Sequence, residues 1–144
     1  MTPLIIDASV VLKWYLEDEE GGEEAVWFLK QHATGDLGLL APALLNYEVV
    51  NALLVAERMG RIARETTRKA VDAFLELEIE LCDPFTDYAD ILALARTFHR
   101  TIYDASYLSL AKKRGIDFVT GDKHLYNAVK DSLKWVKWVG GDIG

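Results

Sequence analysis

Apolar and polar positions along the 144-residue chain switch between a short apolar-run pattern and a helical period, and the switches divide it into strands and helices. Leu4-Ile5-Ile6 is an apolar run too short for a helix, followed at once by the amphipathic stretch Ser9 to Leu16. A charged turn, Glu17 to Glu24, leads into a second helix around Glu24 to His32. Gly38-Leu39-Leu40-Ala41-Pro42 reads as a strand stopped by its proline. Two longer helical patterns follow, Ala43 to Met59 and Ala63 to Leu77, parted by Gly60. Ile79 to Cys82 predicts a strand and Asp83-Pro84 a turn. Helices return over Thr86 to Phe98 and Tyr103 to Arg114, the second closed by Gly115. Asp117 to Thr120 predicts a strand, Lys123 to Lys130 a helix, and Lys134 to Val139 a last strand.

Strands that alternate with helical patterns predict an α/β fold, a parallel sheet sandwiched by helices. No repeat, low-complexity stretch or Pro/Gly-rich linker divides the chain, so a single domain over 1–144 is expected. Ligands of such folds bind outside the carboxyl ends of the strands. Asp7 and Asp122 both fall just past predicted strand ends.

Composition narrows the picture. Half the residues are apolar, which argues against disorder, and no stretch is long and uncharged enough to span a bilayer. Met1-Thr2-Pro3 lacks a basic start and a cleavable apolar run, so no signal peptide is expected. The lone cysteine, Cys82, forms no intramolecular disulfide, fits a reducing cytoplasm, and reads as a small buried apolar residue. No Cys/His cluster has zinc spacing. Sixteen basic against 23 acidic residues leave a net charge of −7, the wrong sign for a protein that coats nucleic acid through its phosphates. A nuclease stays open, because bound metals bring positive charge to the place where phosphate sits.

Candidate chemistry rests on four acids far apart in sequence: Asp7, Glu48, Asp104 and Asp122. Singly, three of them have ordinary explanations. Asp7 and Asp122 can cap the helices that follow them, and Thr101 to Asp104 resembles a capping box. Glu48 is harder to place: Leu45, Val49, Ala52, Leu53 and Ala56 form an apolar stripe, and Glu48 lies on its shoulder. Asp104 has the same character, four residues before Leu108. Either could be a buried acid satisfied by a basic partner. Together, four semi-buried carboxylates at one place need a cation, and hard divalent metals take oxygen ligands.

The order of these motifs resembles a known family. Asp7-Ala8-Ser9 after the first strand, Glu48 in an early helix, Tyr103-Asp104-Ala105 opening a later helix, and Thr120-Gly121-Asp122 after the fourth strand are similar to the PIN domain. Within that family the chain resembles VapC-type toxins of toxin–antitoxin pairs, over essentially its whole length. The resemblance implies a Mg²⁺- or Mn²⁺-dependent endoribonuclease with Asp7, Glu48, Asp104 and Asp122 as metal-binding acids. Ser9 and Thr120 match polar positions beside the acids that orient ligands, although Ser and Thr also commonly cap helices.

Hydrolysis would then proceed by in-line attack of a metal-activated water, leaving a 5′-phosphate and a 3′-hydroxyl, with no histidine needed as base. Lys13, Arg100 and Lys123 are basic residues near the acids that could hold RNA, and His124 is a candidate substrate contact. Trp14, Tyr15 and Trp27 are expected to pack. The resemblance also implies a cognate antitoxin and a homodimer. Leu39-Leu40-Ala41 and the Ala43–Met59 helix are expected to offer apolar surface to spare.

Two readings compete. A response-regulator-like domain needs adjacent acids after the first strand, and an aspartyl phosphatase needs Asp-x-Asp there, but position 9 is serine. A non-catalytic module that keeps only the fold would be expected to have lost one of the four acids.

Overall fold

The computed structural model describes residues 1–141, so the last three positions of the expected 1–144 domain lie outside the described residues. Five strands form one parallel sheet in the order β3-β2-β1-β4-β5. They are β1 (Thr2–Ile6), β2 (Leu37–Pro42), β3 (Glu80–Cys82), β4 (Phe118–Thr120) and β5 (Val136–Trp138). The helices are α1 (Ala8–Tyr15), α2 (Gly22–Thr34), α3 (Leu45–Arg58), α4 (Arg64–Glu76), α5 (Tyr88–Phe98), α6 (Ile102–Arg114) and α7 (Lys123–Val129). The predicted parallel α/β layering is the observed one.

Strand β1 is central, with Ile5 and Ile6 fully buried, and its neighbours come from opposite ends of the chain. After β1 the chain builds outward through β2 and β3, then returns to place β4 on the other side of β1. That reversal is the topological switch point where open α/β sheets place their ligands. Helix α6 is buried from Ala105 to Ala111 and packs against α5 and strands β1, β2 and β4. Its first turn therefore reaches the carboxyl edge of the sheet.

Several local expectations shift. The α3 helix starts at Leu45, two residues after Ala43, whose N–H donates to the Cys82 carbonyl at 2.7 Å. A 3-10 turn, Pro84–Asp87, occupies the predicted start of α5, with the Asp83 carboxylate accepting from Phe85 N–H. Cys82 is half-buried rather than buried, since β3 is an edge strand, and Arg114 Nη2 lies 3.4 Å from its sulfur. Leu39, Leu40 and Ala41 are core and spare no surface for a partner; the exposed apolar residues of α3 are Tyr47, Val50 and Val55. Trp14 packs and donates to the Ala25 carbonyl, whereas Trp27 is about half exposed. No helix among the described residues is long and apolar enough to cross a membrane.

Candidate metal centre

Each of the four acids is delivered by a different segment. Asp7 follows β1 directly, Glu48 lies in the first turn of α3 beyond β2, Asp104 in the first turn of α6, and Asp122 between β4 and α7. All four therefore stand at or near the carboxyl edge of the sheet around its switch point. They feel one another. The Asp122 charge adds to the forces raising Asp7 and Asp104, and that of Asp104 does the same to Glu48.

Asp7 is the fixed centre of the group, only 7% exposed. Its backbone stands at the N-cap of α1, but its carboxylate makes no capping bond. Ser9 Oγ donates to Oδ1 and Thr120 Oγ1 to Oδ2, the latter at 2.6 Å. Both hydroxyls are aimed from behind. Gly121 N–H donates to Ser9 Oγ at 2.7 Å, and Asp122 N–H to Thr120 Oγ1 at 3.1 Å. A hydroxyl whose lone pair takes a backbone N–H has its own proton free for the carboxylate. The β4–α7 turn thus sets both donors. Burial outweighs these bonds and pushes the Asp7 carboxyl up to about 7.

The other acids each rest on a local partner. Glu48 Oε1 accepts from the Tyr107 hydroxyl at 2.7 Å, and desolvation raises its pKa despite that bond. Asp104 is raised mainly by burial, while Arg100 opposes the rise through Nε and Nη2, each 3.2 Å from Oδ2. Thr101 Oγ1 accepts from Asp104 N–H at 3.0 Å, the expected N-cap of α6. Asp122 caps α7, its Oδ1 accepting from His124 and Leu125 N–H at 3.0 and 3.2 Å. Capping and membership of the acidic group coexist at this residue.

Among the described residues no three acid, histidine or cysteine side chains are drawn tightly enough to cage an ion. Two of the carboxylates are engaged elsewhere, Asp104 by Arg100 and Asp122 by the N–H groups that open α7. The donor set still fits a hard divalent cation, being all oxygen, partly desolvated and mutually repulsive.

The basic candidates are placed unequally. The stem of Lys13 runs across Gly121, where an added Cβ would meet Lys13 Cε at 2.6 Å and Ser9 Oγ at 3.3 Å, and its ammonium donates to the Glu20 carbonyl. Arg100 is paired with Asp104, and Lys123 and His124 are exposed beside Asp122. Sequence reasoning missed Tyr107. It is 2% exposed and stacked on Phe118 at 5.6 Å, and a phenol on an all-buried helix face needs a polar partner. That requirement was the available signal.

Comparison with known proteins decides the family. The model of the PIN domain matches residues 4–131. The chain belongs to the PIN domain family. It is 31% identical over 128 residues to a protein named Ribonuclease VapC3 from Pyrobaculum aerophilum, covering 85% of this chain and 91% of that one. It is 34% identical over 91 residues to one named Exonuclease VapC9 from the same organism, covering 60% of this chain and 64% of that one. The crystal structure of PAE2754 from P. aerophilum superposes with a TM-score of 0.70 at 25% identity, covering 96% of this chain and 91% of that one.

Proposed function

We propose that the protein is a Mg²⁺- or Mn²⁺-dependent endoribonuclease, the toxin of a toxin–antitoxin pair. The observation that supports this reading is that Asp7, Glu48, Asp104 and Asp122 come from separate segments to the carboxyl edge around the switch point, with their charges coupled and three of them raised above their ordinary values. Such an arrangement costs stability in the apo protein and repays it only when a cation binds. The PIN membership and the relative named a ribonuclease support the same chemistry.

Asp7 is the anchor, because its two hydroxyl donors and its burial hold it in one orientation. Ser9 and Thr120 position it, and Tyr107 does the same for Glu48. Asp104 and Asp122 would complete the set by releasing Arg100 and the α7 cap. When bound, the divalent cation supplies the charge that lowers the pKa of a coordinated water and offsets charge on the phosphate. Lys13, Arg100 and Lys123 stand beside the acids as contacts for the RNA backbone. The family reading also brings a cognate antitoxin, a homodimer and a cytoplasmic setting.

The test is cleavage of structured and single-stranded RNAs in Mg²⁺, Mn²⁺ or EDTA, beside Asp104→Asn. Metal-dependent cutting that the variant lacks is expected. Cutting that persists in EDTA, or in the variant, refutes the proposal.

A further inference from the structure

Among the described residues, Asp104 is the only one of the four acids with a basic partner, Arg100. It is also the acid whose charge acts on two sides, raising Glu48 and being raised in turn by Asp122. Arg100 therefore puts its guanidinium where the mutual repulsion of the group converges.

This pair is enclosed yet open-handed. Both side chains are only 22% exposed, less than in any other ion pair among the described residues. Even so, Nε and Nη2 both bond to Oδ2, each at 3.2 Å. Arg61 shows the alternative in the same chain: it holds both oxygens of Asp18, at 2.8 and 2.6 Å, in a more exposed place. The two-oxygen fork is the strong form of an arginine–carboxylate pair, and Arg100 does not make it. The backbone beneath is fixed. His99, at φ 54°, closes α5 in the left-handed region, Arg100 N–H donates to the Ala95 carbonyl at 2.9 Å, and Thr101 caps α6 directly afterwards. Only the side chain has to move for Arg100 to leave Asp104.

We propose that Arg100 is the counter-cation of the unloaded acid group, a built-in competitor that must leave Asp104 before a divalent ion is held there, and so sets the metal affinity of the site. The inference rests on the metal-dependent reading proposed above. While the group is unloaded, a cation of its own relieves the repulsion between the carboxylates. The same cation opposes an incoming ion, by occupying a ligand oxygen and by its charge. Arg100 thus favours the metal-free fold and disfavours metal binding, whereas an arginine with a purely structural role would support both.

The experiment compares the full-length wild type with Arg100→Gln, Arg100→Lys and Lys69→Gln. Mn²⁺ binding is read by calorimetry, metal-free stability by urea unfolding in EDTA, and RNA cleavage in Mn²⁺. Arg100→Gln is expected to bind Mn²⁺ tighter by roughly 5-fold or more, and to unfold at lower urea in EDTA. Arg100→Lys keeps the charge and should lie nearer the wild type in both readings. Lys69→Gln removes the same charge from an exposed pair on α4 and should bind Mn²⁺ like the wild type.

Mn²⁺ affinity that is unchanged or weakened in Arg100→Gln overturns the inference and leaves the metal reading standing. So does an Arg100→Gln variant as stable in EDTA as the wild type. Equal tightening in Lys69→Gln also overturns it, by assigning the effect to net charge. Tighter Mn²⁺ binding in Arg100→Gln, with no RNA cut by any of the proteins, removes the nuclease reading alone. If neither the wild type nor Arg100→Gln takes up Mn²⁺, both fall.

Discussion

Replacing Asp7 by Asn is predicted to stabilise the metal-free protein, and by an amount that depends on pH. Burial holds the Asp7 carboxyl at about 7, against an ordinary value of 3.8. At 1.36 kcal/mol per pH unit, keeping it ionised in the fold costs about 4 kcal/mol above neutral pH. The folded chain keeps this proton until about pH 7, whereas the unfolded chain releases it near 3.8. Between those values the unfolded state binds fewer protons, so wild-type stability falls as pH rises through the window and stays low above it. Asn carries no charge but leaves one of the Ser9 and Thr120 hydroxyls without its acceptor, a loss of about 1 kcal/mol. The net gain is therefore about 3 kcal/mol near pH 8, vanishing or reversing as pH approaches 4. Urea unfolding in EDTA across that range measures it. Saturating Mn²⁺ should close the gap near pH 8 by stabilising the wild type alone. An Asn variant no more stable than wild type near pH 8, or a difference that ignores pH, refutes the reasoning.

Other predictions follow from single contacts. Tyr107→Phe removes the hydroxyl that Glu48 accepts from and should cost about 1–3 kcal/mol in urea unfolding and roughly 10- to 100-fold in Mn²⁺ affinity by calorimetry. Gly121→Ala drives a methyl group against Lys13 Cε and close to Ser9 Oγ and the Ser9 carbonyl. It should unfold about 1–2 kcal/mol more easily and cut RNA more slowly, because the turn that aims both hydroxyls at Asp7 must shift. RNA products should carry a 5′-phosphate and a 3′-hydroxyl, as end-labelling and mass spectrometry would read them; a 2′,3′-cyclic phosphate contradicts hydrolysis by water. A circular RNA should be cut as readily as a linear one, and resistance of the circle would instead match the relative named an exonuclease.

The layering of the fold was legible because its strands are short apolar runs bounded by Gly, Pro or Asp and most of its helices carry an amphipathic stripe, α6, buried all along Ala105 to Ala111, being the exception. The α5 start moved through a local turn, Asp83 to Phe85, whereas other features depend on contacts between distant residues. Ala43 N–H bonds to the Cys82 carbonyl ahead of α3, and Cys82 is half-buried because β3 is an edge strand; neither fact is local to its sequence. The four acids could be named from their places beside strand ends and on a helix shoulder. Their partners were less readable. Arg100 lies four residues before Asp104, so their pairing follows helical spacing. The bonds from Thr120 to Asp7 and from Tyr107 to Glu48 span 113 and 59 residues and emerge only from the sheet order. The use of Asp7 differed from a simple cap for the same reason, since Thr120 draws its carboxylate into the sheet edge.

The central claim is that four carboxylates from four segments jointly hold one divalent centre. Calorimetric titration of Mn²⁺ into the wild type and into Asp7→Asn, Glu48→Gln, Asp104→Asn and Asp122→Asn tests it most directly, each variant first checked for cooperative unfolding. Weakened or abolished binding in all four variants, with the wild type saturable, is the predicted result. Mn²⁺ binding as tight in Glu48→Gln or Asp104→Asn as in the wild type would contradict it.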